Sequence, residues 1–272
     1  MSDQYCVIGN PIGHSRSPDI HAAFAAQTGQ DIRYERCLAP LDGFGATVRD
    51  LLVRGYRGAN VTLPFKLEAA ALADTLSERA RAAGAVNTLV FADGRIHGDN
   101  TDGAGLVNDI VRNAGVTIAG KRILLLGAGG AARGALLPLL LQDPRQIVIA
   151  NRTRATADAL VSQFANVAGG RLSACEFGEP DSAFDIVLNA TSASLAASLP
   201  PIPALVFGEG TLALDLMYAA EPSPFMRFGQ AYGAVTRDGL GMLVEQAAEA
   251  FSQWRGVRPD SGRVLAQMRA RL

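Results

Sequence analysis

Cysteine is scarce in this chain. Cys6, Cys37 and Cys175 are the only three, they stand far apart, and none has the short spacing of a metal-ligand pair. That excludes a disulfide-framed secreted fold and a thiolate metal site, and it fits free thiols in a reducing, cytoplasmic compartment. Excess charge is missing as well: 25 basic against 26 acidic residues leave a net charge of −1. Such a balance provides no footprint for nucleic acid or for an anionic membrane surface. A strand pattern opens almost at the N-terminus, so no signal peptide is expected. Residues 123–141 are apolar over roughly the length of a membrane span, but Arg133 interrupts them, and a glycine cluster and Pro138 divide them into strand, turn and helix. Internal repeats and low-complexity tracts are absent too.

What remains is an ordinary globular composition, 49% hydrophobic over 272 residues, enough for about two domains. The segment Lys121–Ala132 organises the chain. The apolar run Ile123-Leu124-Leu125-Leu126 reads as a buried parallel strand, and it empties into Gly127-x-Gly129-x-x-Ala132 and then an apolar helix. A dinucleotide loop needs that order. Gly127 permits the tight turn, Gly129 lets the backbone approach a pyrophosphate, and Ala132 lets helix and strand lie close. The helix N-terminus offers free N–H groups to the anion.

Along the first hundred residues, strands are predicted at Gln4–Gly9, Ile32–Cys37, Gly58–Thr62, Ala85–Phe91 and Arg95–His97, the last two joined by the hairpin signal Asp93-Gly94. Helices are predicted from Ser17 as N-cap to Gly29, at Gly43–Arg54, at Lys66–Ala73 and at Ser77–Ala83. A helix opened by Thr101 or Asp102 runs to about Ala114. The Gly loop then begins a fresh series, with strands at 121–126, 146–151, 184–189, 211–218 and 234–236 and helices at 130–142 and 154–165. After Gly239, Leu240, Leu243, Val244, Ala247, Phe251 and Trp254 share one helical face, with a last helix at 261–272. This alternation points to mostly parallel sheets.

An NAD site places an acid after the second strand of such a series, where it binds the ribose 2′-hydroxyl. Here Asn151-Arg152-Thr153-Arg154 stands instead. An acid would repel a 2′-phosphate and arginine would grip one, so the chain reads as NADP-specific. Several polar residues of the first half lie at strand ends and loop openings. Ser15 and Ser17 flank a helix start, a seat for a carboxylate or simply a cap. Lys66 can pass a proton to a developing alkoxide. Asn87 and Asp102, read locally, are a turn amide and a helix cap. His14, His21 and His97 read as structural.

Taken together, the segments Gly9-Asn10-Pro11-Ile12-Gly13-His14-Ser15-Arg16-Ser17-Pro18, Asn60-Val61-Thr62-Leu63-Pro64-Phe65-Lys66, Gly84-Ala85-Val86-Asn87-Thr88-Leu89 and Asn100-Thr101-Asp102-Gly103 carry more. With the Gly loop, Asn151-Arg152-Thr153, Asn189-Ala190-Thr191-Ser192, Asp215-Leu216-Met217-Tyr218 and residues 239–246, the sequence resembles the shikimate dehydrogenase family over nearly its whole length. The resemblance implies an oxidoreductase acting on a CH–OH group: reversible NADPH-dependent reduction of 3-dehydroshikimate to shikimate, on the route to chorismate and the aromatic amino acids. It implies Lys66 and Asp102 as the catalytic pair, with Lys66 transferring the proton. Ser15, Ser17 and Tyr218 would hold the substrate carboxylate, and Thr62, Asn87 and Gln246 the ring hydroxyls. Gly127, Ala128, Gly129, Gly130, Ala131, Asn151, Arg152, Thr153, Leu216, Gly239 and Glu78 would hold NADP(H).

The sequence departs from the family pattern at Ala22, at Ser194 (often Gly), at Ala219–Pro222 and at Asp238 (often Asn). The architecture implied is two α/β domains with a cleft between them. Residues 1–101 with returning C-terminal helices, 237–272, form the substrate domain, and 102–236 form a Rossmann-like NADP domain. The partner expected is a small-molecule substrate, with monomer and homodimer both open. Three rivals are an NAD-dependent quinate/shikimate dehydrogenase, methylenetetrahydrofolate dehydrogenase, and a non-catalytic NADP-binding sensor. The missing acid opposes the first, the paired serines the second, and the Lys66–Asp102 pair the third.

Overall fold

A computed structural model describes residues 2–272. By its internal contacts the chain forms two units. One combines the residues up to Gly105 with Leu243–Arg271, and the other is Leu106–Met242. These cuts fall inside helices, a few residues beyond the 101/102 and 236/237 boundaries read from the sequence.

The first unit contains β1 (Asp3–Gly9), α1 (Ser17–Thr28), β2 (Ile32–Leu38), α2 (Phe44–Val53), β3 (Gly58–Val61), α3 (Lys66–Leu72), β4 (Thr75–Leu76), α4 (Glu78–Ala83), β5 (Thr88–Ala92), β6 (Arg95–Asp99) and the start of α5 (Asp102–Asn108). Its sheet has the order β2-β1-β3-β5-β6-β4. β1 runs parallel to both neighbours, whereas β5 is antiparallel to β3 and β6. The hairpin between β5 and β6 turns on Asp93 and Gly94, both at positive φ (52° and 71°), as a two-residue primed turn requires.

Ser17 is not the cap of α1. Arg16 occupies the N-cap, Ser17 is the first helical residue, and its N–H donates to Ser15 Oγ at 3.3 Å. Pro18, lacking an N–H, fits the first turn that follows. The two-residue β4 escaped the sequence reading because it is too short for any periodicity. The Asn10–Pro11 and Leu63–Pro64 peptide bonds are cis.

The second unit begins within α5 and passes through a π-helical turn at Asp109–Asn113. It consists of β7 (Arg122–Leu126), α6 (Gly130–Leu140), β8 (Gln146–Ala150), α7 (Arg154–Gln163), α8 (Ala165–Ala168), β9 (Leu172–Cys175), β10 (Ile186–Asn189), β11 (Leu212–Asp215), α9 (Pro224–Ala231) and β12 (Val235–Arg237). All five strand pairings are parallel, in the order β12-β11-β10-β7-β8-β9. This is the doubly wound order of dinucleotide folds, with its reversal between β7 and β10. Burial on both faces explains the unbroken apolar run in β7, where Ile123 to Leu126 are fully buried. β9 was not foreseen, since Leu172-Ser173-Ala174-Cys175 lacks β-branched residues.

The chain then enters α10 (Leu240–Arg255) and α11 (Ser261–Arg269). α10 buries Val244, Ala247, Ala248 and Phe251 in the first unit. There Phe251 packs on Phe24 (5.7 Å between centroids) and Trp254 stacks on Tyr5 (4.7 Å). His21 is fully buried in the same aromatic cluster, stacked on Tyr34 at 4.1 Å. Neither ring nitrogen meets hydrogen-bond geometry with a partner among the described residues, and burial, outweighing an opposing effect of nearby Asn60, pushes the imidazole down to about 3. His97 accepts or donates a bond to Thr75 Oγ1, and His14 is an exposed loop residue.

Candidate active site

In the first unit, two helix starts face each other. Lys66 opens α3 and Asp102 opens α5. An ammonium in a first helical turn meets the positive end of the helix dipole and needs an anion nearby. Asp102 supplies it: Lys66 Nζ donates to Asp102 Oδ2 at 2.6 Å, with both side chains about a quarter exposed. The other carboxylate oxygen accepts from Asn87 Nδ2 at 2.8 Å. The same amide nitrogen lies 2.9 Å from Thr101 Oγ1 and 3.3 Å from Gln246 Oε1. Asn87 Oδ1 collects Thr101 N–H at 2.8 Å and Thr88 Oγ1 at 2.9 Å. The amide can point only one way, with its donors toward Asp102 and Gln246.

A further layer holds this group. Asn60 Nδ2 donates to Asn87 O and Thr88 Oγ1, while its Oδ1 accepts from Tyr34 OH at 2.7 Å. Asn100 Oδ1 accepts from Asp102 N–H at 3.1 Å and so fixes the start of α5. Sequence reasoning gave Asn60 and Tyr34 no role and read Thr101 only as a possible helix cap, although Asn60 and Thr101 stand inside the quoted segments. Thr62 is half-buried just past β3, its N–H bound to Ile8 O at 2.9 Å. Ser15 and Ser17 sit at the mouth of α1, where Arg36 of β2 clamps the Ser15 carbonyl through Nε (3.1 Å) and Nη2 (2.7 Å). Arg36 also went unnoticed, because nothing local links it to a loop 21 residues away.

The second unit holds the Gly loop. Gly127 has φ +99° and packs against Ala190 and Thr191 beyond β10, so the position tolerates only glycine. Around Gly129 and Gly130 there is open space, both are exposed, and Gly130 begins α6. The first N–H groups of that helix are therefore available to an anion. Gly127, Ala128, Gly129, Asn151 and Arg152 line one cavity of about 580 Å³ with Phe177, Thr191 and Pro200. Ala131 is exposed next to the loop, and Thr153 caps the entry to α7, its carbonyl accepting from Asn151 Nδ2 at 2.9 Å. The two arginines separate in role. Arg154 is tied to Glu179 (3.3 Å) and Asp158 (3.7 Å), while Arg152 is exposed and has no ion-pair partner among the described residues.

Gly239 packs onto the backbone of Leu216, whose carbonyl occupies the space a side chain would take. Asp238 Oδ1 accepts from Leu240 N–H at 3.2 Å, a bond the usual Asn would make equally well. Ser194 replaces a glycine to visible effect: its hydroxyl donates to the buried Asp215 carboxylate at 2.5 Å, joining Asn189 and Ser223 there. Tyr218 is half-buried beside Met217 and Asp238 in a second cavity of about 380 Å³. It belongs to the second unit, Ser15 and Ser17 to the first. Glu78 is exposed in the first turn of α4, in the first unit rather than among the Gly-loop residues.

Known proteins match this chain along its length. Family models described as the shikimate dehydrogenase substrate binding domain, shikimate/quinate 5-dehydrogenase and the shikimate 5′-dehydrogenase C-terminal domain match residues 7–89, 109–197 and 239–270. The shikimate dehydrogenase (NADP(+)) of Herminiimonas arsenicoxydans is 63% identical over 272 residues, covering 100% of this chain and 99% of the relative. Among solved structures, an Ael1 enzyme from Pseudomonas putida superposes with a TM-score of 0.93 at 50% identity, covering 98% of both chains. The shikimate 5-dehydrogenase of Thermus thermophilus, solved with NADP(H) and shikimate, superposes with a TM-score of 0.87 at 33% identity, covering 99% of this chain and 100% of that one. A doubly wound unit with an open Gly loop, a saturated Lys–Asp–Asn cluster and identity sustained from end to end have one common explanation: the chain belongs to the shikimate dehydrogenase family.

Proposed function

We infer that this chain catalyses the reversible NADPH-dependent reduction of 3-dehydroshikimate to shikimate, and that its residues act in the roles the family pattern suggests. The observation that carries the reading is the Lys66–Asp102–Asn87 arrangement, an ammonium held at 2.6 Å from a carboxylate that a buried amide orients. A binding module has no need of such a pair. NADPH, when bound, supplies the hydride. As charge develops on the substrate carbonyl oxygen, Lys66 Nζ stabilises it and gives the proton. Asp102 keeps the ammonium in place and accepts from the neighbouring hydroxyl.

The other roles follow from position. Ser15 and Ser17, at the mouth of α1, bind the substrate carboxylate with Tyr218, while Thr62, Asn87 and Gln246 take the ring hydroxyls. NADP fits the second unit on this chain's own features. The cavity at the Gly loop is open where a pyrophosphate must approach, no acid follows β8, and Arg152 projects beside Asn151 and Thr153 with no ion-pair partner among the described residues. Gly127 to Ala131 would hold the pyrophosphate and residues 151–153 the 2′-phosphate, with Leu216 and Gly239 near NADP by the family pattern; Glu78 is the outlying member of this set. We place the enzyme in the cytoplasm on its three free thiols; among the described residues no helix is long and apolar enough to cross a membrane.

One assay tests the whole reading: NADPH oxidation with 3-dehydroshikimate, repeated with NADH and, in the reverse direction, with quinate in place of shikimate. Turnover should be fastest with the NADP couple and shikimate. A clear preference for NAD and quinate would overturn both the cofactor and the substrate assignments.

A further inference from the structure

α10 carries Gln246, and a stripe of polar residues on the same helix has no part in the reaction outlined above. Glu245, Glu249 and Gln253 lie four residues apart, on one face. Each is held. The Glu245 side chain is only 1% exposed and accepts from Arg258 Nη2 at 2.7 Å and Ser261 Oγ at 2.6 Å. Glu249 accepts from Arg258 Nη1 at 2.6 Å and from Arg79 Nη1 at 3.0 Å. Arg79, on α4, also grips Asp99 with two parallel bonds, Nε to Oδ1 at 2.8 Å and Nη2 to Oδ2 at 2.5 Å. Gln253 Nε2 and Ser77 Oγ donate to the same carboxylate.

The result is an alternating line of charge, Asp99–Arg79–Glu249–Arg258–Glu245, from the end of β6 across α4 and α10 toward α11. Burial alone would raise the Asp99 carboxyl, but the bonds from Arg79 and Ser77 outweigh it and leave it below the usual range. Asp99 Oδ1 also accepts from Asn100 N–H at 2.7 Å, three residues before Asp102. One carboxylate thus anchors both the strand end that presents Asp102 and, through Arg79 and Gln253, the helix that presents Gln246.

Phe251 and Trp254 seat the C-terminal half of α10 by aromatic packing, but the stretch just after Gln246 buries Ala247, Ala248 and Ala250, which offer only small knobs there. Polar groups that pair at a single register supply what a smooth apolar face lacks. We propose that the charge line sets the register of α10, and that Arg79 is a positioning residue which places Gln246 against Asn87. The proposal rests on reading the Asn87–Gln246 group as part of the substrate site.

The test uses the full chain. Arg79→Met removes both grips. Arg79→Lys keeps the charge without the fork and takes over if the methionine variant does not fold. In a folded variant the KM for 3-dehydroshikimate should rise about tenfold while the KM for NADPH stays within about twofold. In a Gln246→Ala background the same substitution should have little further effect on substrate KM, because no Gln246 remains to be placed. Trp254, the single tryptophan, lies on α10, stacks on Tyr5 and donates to Leu89 O at 3.0 Å. Its emission therefore reports the seating of α10 without catalysis, and a red shift is expected in the Arg79 variants. An unchanged substrate KM, or an equal rise in the Gln246→Ala background, overturns the proposal. Should the unsubstituted chain fail to turn over 3-dehydroshikimate, the functional reading falls, and Trp254 emission alone decides the register: a red shift upholds it and an unchanged spectrum overturns it.

Discussion

In the first unit the Lys66 ammonium, the Asp102 carboxylate and the Asn87 amide satisfy one another, and a second layer of Asn60, Thr101 and Tyr34 holds them. In the second unit the Gly loop is bare backbone beside open space, and Arg152 projects with no ion-pair partner among the described residues. One site is a saturated network of side chains; the other is a cradle of unspent N–H groups. The difference matches the role proposed for each. Groups that move a proton must be held before the substrate arrives, because reorganising them during reaction costs rate. A pyrophosphate carries its own charge and needs only donors left free at a helix start.

The strongest way to break this contrast is to remove the centre of the saturated network. Lys66→Ala should lower kcat by about 10²–10⁴-fold with a much smaller change in KM. Steady-state kinetics decide it, and unchanged turnover would take Lys66 out of the mechanism. Next in size is an acid sensitivity that belongs to the first unit. His21 is neutral when folded, at about 3 against an ordinary 6.5, so the unfolded chain binds a proton the native chain refuses. Stability is therefore complete above about pH 6.5 and declines as pH falls, by roughly 3 kcal/mol at pH 4. Urea unfolding between pH 7 and 4, followed by Trp254 emission, should show this loss. His21→Phe, which keeps the stack on Tyr34 and buries no base, should flatten it; an equal slope in the variant would place its origin elsewhere.

The smallest effect sharpens the other side of the comparison. Arg152→Ala should weaken NADPH by about 10- to 100-fold, the worth of charge-assisted bonds to one phosphate, and leave NADH nearly untouched. Equal losses for both cofactors, measured by binding titration, would reduce Arg152 to a structural role.

The two sites were also unequally legible in the sequence. The Gly loop could be read because its parts are contiguous: an apolar strand, Gly127, Gly129, Ala132 and a helix follow one another within a dozen residues. The first-unit group could not be read from local pattern, because Lys66 meets Asp102 across 36 residues and Asn87 meets Gln246 across 159. Only the ordered set of family segments pointed to these residues. Arg36 and Arg79 were invisible for the same reason, as surface arginines whose acceptors lie on other elements. Local chemistry also misled at Ser17. Serine before proline reads as a cap, yet Arg16 takes that position and Ser15 supplies the hydroxyl. The π-helical turn after α5 leaves no compositional mark at all.

The insertion of residues 106–242 within the first unit has a consequence for how the chain is made. Synthesis runs from the N-terminus, so β1 to β6 leave the ribosome long before α10 and α11, which complete their core. In the interval Phe24 lacks Phe251 and Tyr5 lacks Trp254, and their apolar faces stay uncovered while the second unit, contiguous in sequence, can close on itself. The unit that begins first finishes last, and any early stop in translation removes from it both an aromatic lid and Gln246.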